Sequence, residues 1–387
     1  MSEQLRSHLL VRAIIVAAGT LFASVSTSGG GVIPSFTGLG FLTGGGHQSV
    51  ATAISSDGRV VVGASDSTGS NPYGEQAFAW TAEYGMTGLG FLSSTSASSG
   101  ALNISGDGQV IVGRSSSATN CTEAFRWSQD GGLLGLGQLP GGICYSDALG
   151  ASGDGSVIVG YGSDANGAKA FRWTASQGME SLGALPGGLA STATAISPDG
   201  SFIVGYSESA MYPNGEPYVW QATKGMVGLG SLEGCSRAGA AFDVSDGGKV
   251  IVGSLGCSKG DIPFRWTMSQ GLVPLGGING WARAVSEDGS VIVGHTLGDD
   301  ETAFVWDQVH GTRVLADVLT GVYGLDLAGW RLLEARDVSA DGTSIVGMGV
   351  DPTGQIEAWR ASIPEPMSLP LVAIACLVFG RLRVRPA

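Results

Sequence analysis

Short apolar runs recur along the chain, each bounded by Ser, Asp and Gly. The string A-x-x-(I/V/A)-S-x-(D/G)-G-x-(three apolar)-G occurs seven times, with Ser344 at the first apolar place of the last copy. Its Ala is Ala51, Ala101, Ala148, Ala193, Ala241, Ala282 and Ala335. Its closing glycine is Gly63, Gly113, Gly160, Gly205, Gly253, Gly294 and Gly347, at intervals of 50, 47, 45, 48, 41 and 53 residues. Two further elements keep a fixed place in each unit. One is Ala-Phe-x-Trp, as in Ala77–Trp80, Ala124–Trp127, Ala170–Trp173 and Ala303–Trp306, with variants ending at Trp220, Trp266 and Trp359. The other is Leu-Gly-x-Leu, starting at Leu39, Leu89, Leu136, Leu182 and Leu229, with Leu275–Ile278 as a sixth copy and Val314–Leu319 in the seventh place.

Each unit therefore offers four short runs, read as four antiparallel strands. The Ser-x-Asp-Gly step is a hairpin turn, because glycine accepts positive φ and Asp and Ser bond the turn's own amides. The third run, such as Val60-Val61-Val62 or Val291-Ile292-Val293, is apolar at every position. A strand of that kind is covered on both faces. Blades stacked around a ring supply both covers, and a period of about 40–50 residues suits them. The expected fold is all-β, a seven-bladed β-propeller over residues 36–362 built from repeats of about 47 residues, with no helix between about 36 and 360. Two placements of the Leu-Gly run stay open. If it opens its following unit, blades follow sequence order. If it is the outer strand of the preceding unit, residues 38–42 complete the last blade and latch the ring.

Composition narrows the classes. Glycine is 65 of 387 residues, and charged residues are 14%, against a usual charged share of about 25%. That excludes helical bundles, coiled coils and most α/β enzymes. An apolar fraction of 43% still supports a large core. The net charge of −13 argues against a nucleic-acid partner.

Both ends read as addresses. Arg6 and Arg12 precede an apolar stretch from Ala13 to Ala23, followed by small residues. This is the pattern of a signal peptide over residues 1–28, with cleavage between Ala23 and Ser28. At the other end, residues 363–387 hold Pro364-Glu365-Pro366, an apolar stretch from Met367 to Gly380, and Arg381, Arg383 and Arg385. A terminal apolar segment with a basic flank is a stop-transfer pattern, short for a full span.

The three parts in that order resemble the PEP-CTERM sorting signal of Gram-negative bacteria. The resemblance implies an exosortase-type processing enzyme as partner, transient inner-membrane anchoring by a transmembrane helix, and release or attachment at the cell surface. The repeat itself resembles the extracellular HAF family, named for a His-Ala-Phe tripeptide. Ala-Phe is kept in four copies, with Gln76, Glu123, Lys169 and Thr302 in place of the His. No activity comes with that resemblance.

Chemistry-bearing motifs are sparse. His47, His295 and His310 lack metal-ligand spacing and read as loop or surface residues. No nucleophile elbow, H-E-x-x-H, P-loop or C-x-x-C occurs. The periodic acids Asp57, Asp107, Asp154, Asp199, Asp288 and Asp341 read as turn residues. Off-pattern acids, namely Asp66, Glu75, Glu123, Asp164, Glu208, Glu216, Asp261, Asp299, Asp300 and Glu301, all fall between the third and fourth runs of their units. They read as solvated loop carboxylates. The repeated Trp residues read as inter-blade core rather than sugar platforms.

Four cysteines remain once Cys376 leaves with the tail. Cys121 and Cys257 lie between third and fourth runs, and Cys144 and Cys235 follow Leu-Gly runs. In an up-and-down meander these loop types share a face. The pairing expected from the three possible is Cys121–Cys144 and Cys235–Cys257. Taken together, the sequence points to an exported, non-enzymatic propeller with no cofactor, metal or catalytic residue assigned, binding extracellular polysaccharide or a surface protein. It touches membrane only through the tail. The alternative is a secreted carbohydrate-active enzyme, a hydrolase or lyase, using paired loop carboxylates.

Overall fold

A computed structural model describes residues 32–364, apart from 46–47, 69–73, 94–96, 119–120, 143 and 236–237. The signal segment, Glu365, Pro366 and the three terminal arginines lie outside the described residues. The strands form seven separate four-stranded sheets, each an antiparallel meander. Blade 1 is β2 (Ser49–Ile54), β3 (Val61–Asp66), β4 (Glu75–Thr81) and β5 (Gly85–Gly90). Blade 2 holds β6 (Ser99–Ile104), β7 (Val110–Ser116), β8 (Thr122–Ser128) and β9 (Gly132–Gly135), and blade 3 holds β10 (Ser146–Ala151), β11 (Val157–Asp164), β12 (Gly167–Thr174) and β13 (Gly178–Gly183). Blade 4 is β14 (Ser191–Ile196), β15 (Ile203–Ser207), β16 (Glu216–Gln221) and β17 (Gly225–Gly228). Blade 5 is β18 (Gly239–Val244), β19 (Ile251–Cys257), β20 (Gly260–Thr267) and β21 (Gly271–Pro274). Blade 6 is β22 (Gly280–Val285), β23 (Val291–Thr296), β24 (Ala303–Asp307) and β25 (Gly311–Val314). Blade 7 is β26 (Arg331–Val338), β27 (Ser344–Val350) and β28 (Ile356–Ser362), closed by β1 (Ser35–Gly38) as its outer strand.

That last pairing decides the ring closure. Ser35 lies opposite Ser362 and Gly38 opposite Trp359, so chain start and chain end share one sheet. The Leu-Gly pair ends the outer strand in blades 1 and 3 and opens the connector directly after that strand at Leu39, Leu136, Leu229 and Leu275. It is not a strand of its own. Leu39 and Leu42 are buried, while Gly40 turns the chain at φ 77°. The seventh connector departs from the expected absence of helix. A helical segment runs over Leu315–Asp317 and widens to a π turn over Val318–Val322. Leu315, Val318 and Leu319 follow helical spacing and bury against Leu332 and Trp359. A 3-10 turn also forms over Asp246–Gly248, where the fifth unit has Gly247 in place of the turn Asp.

Each hairpin turn is built as its residues dictate. Ser55 Oγ donates to Asp57 Oδ1 at 2.6 Å and accepts from the Val60 amide at 3.0 Å, while Asp57 Oδ1 accepts from the Arg59 amide. The same set recurs around Asp107, Asp154, Asp199, Asp288 and Asp341. The periodic acids are turn residues. In Asp154 the Ser156 amide and two hydroxyls hold the carboxyl below its usual range.

The seven turns then join one another. The Ser56 amide donates to Gly106, Asp107 to Gly153, Gly153 to Pro198, Asp246 to Glu287, Glu287 to Ala340, and Ala340 back to Ser56. The one missing step, from blade 4 to blade 5, falls at Pro198, which has no N–H to give. Thr194 still spans that interface, its Oγ1 donating to the Ala241 carbonyl at 2.7 Å, as Thr52 does to Ala101 between blades 1 and 2.

The core is continuous between blades. The apolar runs of the second strands are fully buried, with Val61, Val62, Ile111, Val112, Ile158, Val159, Ile251, Val252, Ile292 and Val293 at 0% exposure. The repeated Trp residues pack into the inter-blade clusters, Trp359 fully and Trp80 and Trp266 partly. At each closing glycine, a Cβ would stand far inside 3.0 Å of an inner-strand carbonyl, Val50 for Gly63 and Thr192 for Gly205. The inner strand carries a bulge at that same level, between Ala51 and Ala53 or Ala193 and Ala195.

The two cysteine pairs stand at disulfide distance as expected, with Cα–Cα separations of 4.8 Å for Cys121–Cys144 and 3.9 Å for Cys235–Cys257.

Gly205→Ala is expected to destabilise the fold by about 3 kcal/mol through overpacking against backbone. Gly321→Ala, which meets nothing within 4 Å, is expected to leave stability within about 1 kcal/mol of wild type. Urea unfolding of the two variants checks the contrast. Replacing both Cys235 and Cys257 by Ser should cost about 3 kcal/mol on the loop-closure model, and equal midpoints with and without reductant would contradict it.

Candidate functional site

The hairpin turns lie on one face of the disc. The opposite face carries the inter-blade connectors and the loops between second and third strands of each blade. Because the seven units share one frame, positions the frame does not need stand out. One is the residue after each closing glycine: Ala64, Arg114, Tyr161, Tyr206, Ser254, His295 and Met348. The residues on either side of the repeat Ala are similarly free, and in blades 5 to 7 they include Phe242, Trp281, Arg283, Glu334 and Arg336. These positions converge at the loop-face end of the inner strands, where Trp281 lies opposite His295 in register.

A cluster of charged and aromatic side chains results. The Arg283 guanidinium sits over the Trp281 ring at 4.4 Å and the Phe242 ring at 5.2 Å. Trp281 is fixed by its Nε1–H donating to Asp261 Oδ2 at 2.7 Å and meets His295 edge-on at 5.6 Å. Burial pulls Arg283 down to about 10, helped by the nearby Arg336 charge. Arg336 Nε donates to Glu334 Oε2 at 2.9 Å. His295 lies between two carboxylates, its Nε2 3.7 Å from Glu301 and its Nδ1 3.9 Å from Glu334. Burial holds His295 down at about 4, so the imidazole is neutral. Burial also raises Glu301, as does the Glu334 charge.

A second cluster lies across blades 2 and 3. Arg114 Nη1, Tyr145 Oη and Tyr161 Oη all reach Asp147 Oδ2, at 3.3, 3.1 and 3.4 Å. The Asp147 side chain is buried, and that burial raises its carboxyl. Tyr206 follows on blade 4, 39% exposed.

The expected site residues fall differently from their sequence reading. His295 is not a loop or surface residue; it is buried on β23, at 1% exposure. His310 is half exposed and bonds Asp307 from the turn before β25. His47 lies outside the described residues. Of the off-pattern acids, Glu123 and Glu216 are not solvated loop groups. They lie on strands and accept the amides of Gly137 and Gly230, and Glu357 does the same for Gly40. Glu208 caps the Leu189 and Ala190 amides, Asp164 pairs with Lys169, and Asp66 lies opposite Glu75. Asp299 and Asp300 are exposed. Only Asp261 and Glu301 join the cluster. Glu334, Trp281, Arg283 and Arg336 were missed, although alignment of the seven units against one another marks their positions as free of any frame role.

At the hairpin face the axial channel forms a cavity of about 100 Å³ for water-sized molecules. Asp243 and Asp337 lie in its wall. Asp243 Oδ2 accepts from the Val285 amide of the next blade at 2.9 Å, and Asp337 Oδ2 from the Ile54 amide at 2.8 Å. Each carboxylate also accepts from its following amide, Val244 and Val338. They are inter-blade clamps. Enclosure in the narrow channel outweighs those bonds and pushes Asp243 up to about 7. Burial and then the Asp243 charge push Asp337 up to about 8.

No family model and no curated protein matches the chain. Solved structures do. An oligogalacturonate lyase from Vibrio parahaemolyticus aligns at 12% identity and TM-score 0.54, over 88% of this chain and 99% of that one. The β-propeller domain of the Trilobed protease from Pyrococcus furiosus, described as having an open velcro topology, aligns at 10% identity and TM-score 0.52, over 86% and 95%. TolB from Acinetobacter baumannii aligns at 12% identity and TM-score 0.46, over 67% of this chain but only 61% of its own. At such identities the first two likenesses agree with the seven four-stranded blades in establishing the fold, a seven-bladed β-propeller, and nothing finer.

The raised pair gives a pH signature. Both acids hold protons in the fold at pH values where the unfolded chain has lost them. Their contribution is full below about pH 4 and is lost as pH rises through about 7 and 8. Urea stability should therefore fall between pH 5 and 9, and Asp243→Asn with Asp337→Asn should flatten that fall. An unchanged slope in the double variant would refute the assignment.

Proposed function

We propose that this chain is an exported, non-enzymatic β-propeller, processed at its tail by an exosortase-type enzyme, that binds extracellular polysaccharide through its loop face. The observation carrying the binding reading is the placement of Tyr145, Tyr161, Tyr206, Phe242 and Trp281 on successive blades of one face, at or beside positions the repeat frame leaves free. Ring faces take the apolar faces of sugars, while the adjoining Arg114 and Asp261 supply hydrogen bonds. Leu189 and Met211, 70% and 77% exposed, extend the apolar area on blade 4. The two cysteine pairs at disulfide distance suit an oxidising compartment, which supports export without depending on either terminus.

An enzymatic reading draws on Glu301 and Glu334, whose carboxylate oxygens approach within 4.8 Å. Two features weigh against it. Glu334 is 9% exposed and already bonded to Arg336, so a glycosidic oxygen has no route to it. His295 also sits against both acids, where a glycosidase needs room for the sugar.

Binding of the mature propeller to a glycan array should single out one polysaccharide class. Tyr206→Ala and Trp281→Ala should each weaken that affinity by about tenfold, consistent with loss of one stacked ring. Full affinity in both variants would move binding off this face. Release of new reducing or unsaturated ends from the bound glycan would replace the binding reading with the enzymatic one.

A further inference from the structure

The His295 neighbourhood holds an unresolved polar group. The imidazole side chain is 2% exposed, and its Nδ1 has no hydrogen-bond partner. A buried nitrogen left without a partner has lost its bond to water and gained none in exchange. Glu334 Oε2 stands 3.9 Å from that Nδ1 and Glu301 Oε1 3.7 Å from Nε2, both too far for hydrogen bonds. One ligand atom from each of His295, Glu301 and Glu334 lies within 4.8 Å of the others. Ligand atoms around a tetrahedral ion at about 2.0–2.2 Å stand roughly 3.3–3.6 Å apart, so small side-chain rotations would bring the three into a coordination sphere.

We propose that His295, Glu301 and Glu334 form a binding site for a divalent first-row transition metal at the loop-face end of blades 6 and 7. One imidazole with two carboxylates selects zinc or manganese over calcium, which takes six to eight oxygens, and over magnesium, which keeps its waters. The supporting groups are those a metal site uses. Arg336 bonds Glu334 Oε2, the oxygen that stands 3.9 Å from His295 Nδ1, and so fixes that carboxylate beside the ring. Trp281, anchored on Asp261, fixes the plane of the His295 ring from its edge. Arg283 and Arg336 bring two positive charges, but Glu301, Glu334 and Asp261 bring three negative ones, and Asp299 and Asp300 adjoin them in the loop. The neighbourhood is net acidic and accepts a dication. Glu301, 36% exposed, closes the site on the solvent side and gives the ion its way in.

The site adjoins the proposed sugar surface through Trp281 and Asp261, but its test reads metal binding alone and does not depend on polysaccharide. Chelator-treated mature propeller is titrated calorimetrically with Zn²⁺ and, separately, with Mn²⁺. One equivalent of at least one of them should bind, with a dissociation constant in the micromolar range or tighter. Glu301→Gln is half-exposed and should fold normally; it should weaken binding at least tenfold. His295→Ala should abolish it, while His310→Ala should leave it unchanged. Absence of stoichiometric binding of either ion overturns the proposal. So does binding that survives Glu301→Gln, or that His310→Ala removes, because the ion then sits elsewhere.

Discussion

At seven places an inner-strand carbonyl oxygen occupies the space that a Cβ on the closing glycine would need. The rest of the architecture depends on that approach. It lets the second strand of each blade lie hard against the bulged inner strand, and it admits the Phe ring of the third strand over the same glycine, as Phe78 over Gly63 and Phe304 over Gly294. The blade becomes thin where blades crowd and thick where they splay. Identical wedges of that shape stack only into a ring. Once stacked, the Val and Ile of the middle strands lose all solvent contact, which supplies the main driving force. No blade can bury those strands alone, so closure by β1 against β28 completes the core as well as the sheet.

This dependence divides the sequence into residues that make the ring and residues that the ring carries. Ala, the turn Ser and the closing Gly are the same in all seven units because each makes one contact that every blade needs. Their immediate neighbours are not. Blade 1 has Thr52 beside the repeat Ala, where blade 6 has Arg283; blade 1 has Ala64 after its closing glycine, where blade 6 has His295. A propeller thereby tolerates charged and aromatic groups at the loop-face end of its inner strands without any change to its frame. The asymmetry around the ring is the chemically informative part, and it is greatest on blades 5 to 7.

The fold was legible because its signal repeats. Blade number, strand count per blade, the turn role of the periodic acids and the cysteine pairing all follow from period, glycine position and loop type. The position of the Leu-Gly run was not decidable, since an outer strand and a connector leave the same apolar pair behind. The helix over residues 315–322 was misread for a related reason. Val314–Leu319 was fitted to the strand frame, although Leu315, Val318 and Leu319 follow a helical period. The site was mostly illegible. His295 and Glu334 are 39 residues apart and belong to different blades, so no local spacing joins them. Glu123 and Glu216 looked like loop acids because they lie beside a loop, yet their carboxylates reach back to connector amides.

The two cysteine pairs sit where such a face needs support. Cys144 lies in the connector leaving blade 2 and Cys121 in that blade's own loop, whereas Cys235 lies in the connector entering blade 5 and Cys257 at the end of its second strand. Both pairs brace connectors, and both lie on the face that carries Trp281 and His295. The hairpin face has its own brace in the circle of turn-to-turn amides, broken only at Pro198. The loop face has a partial counterpart, in which Ser49, Ser99, Ser146 and Ser191 each accept an amide of the preceding blade, from Ala358, Ala77, Ala124 and Ala170. A site assembled from three blades is only as well aligned as the connectors between them. The cross-links and the glycine-capping acids Glu123, Glu216 and Glu357 therefore do for the loop face what the amide circle does for the other.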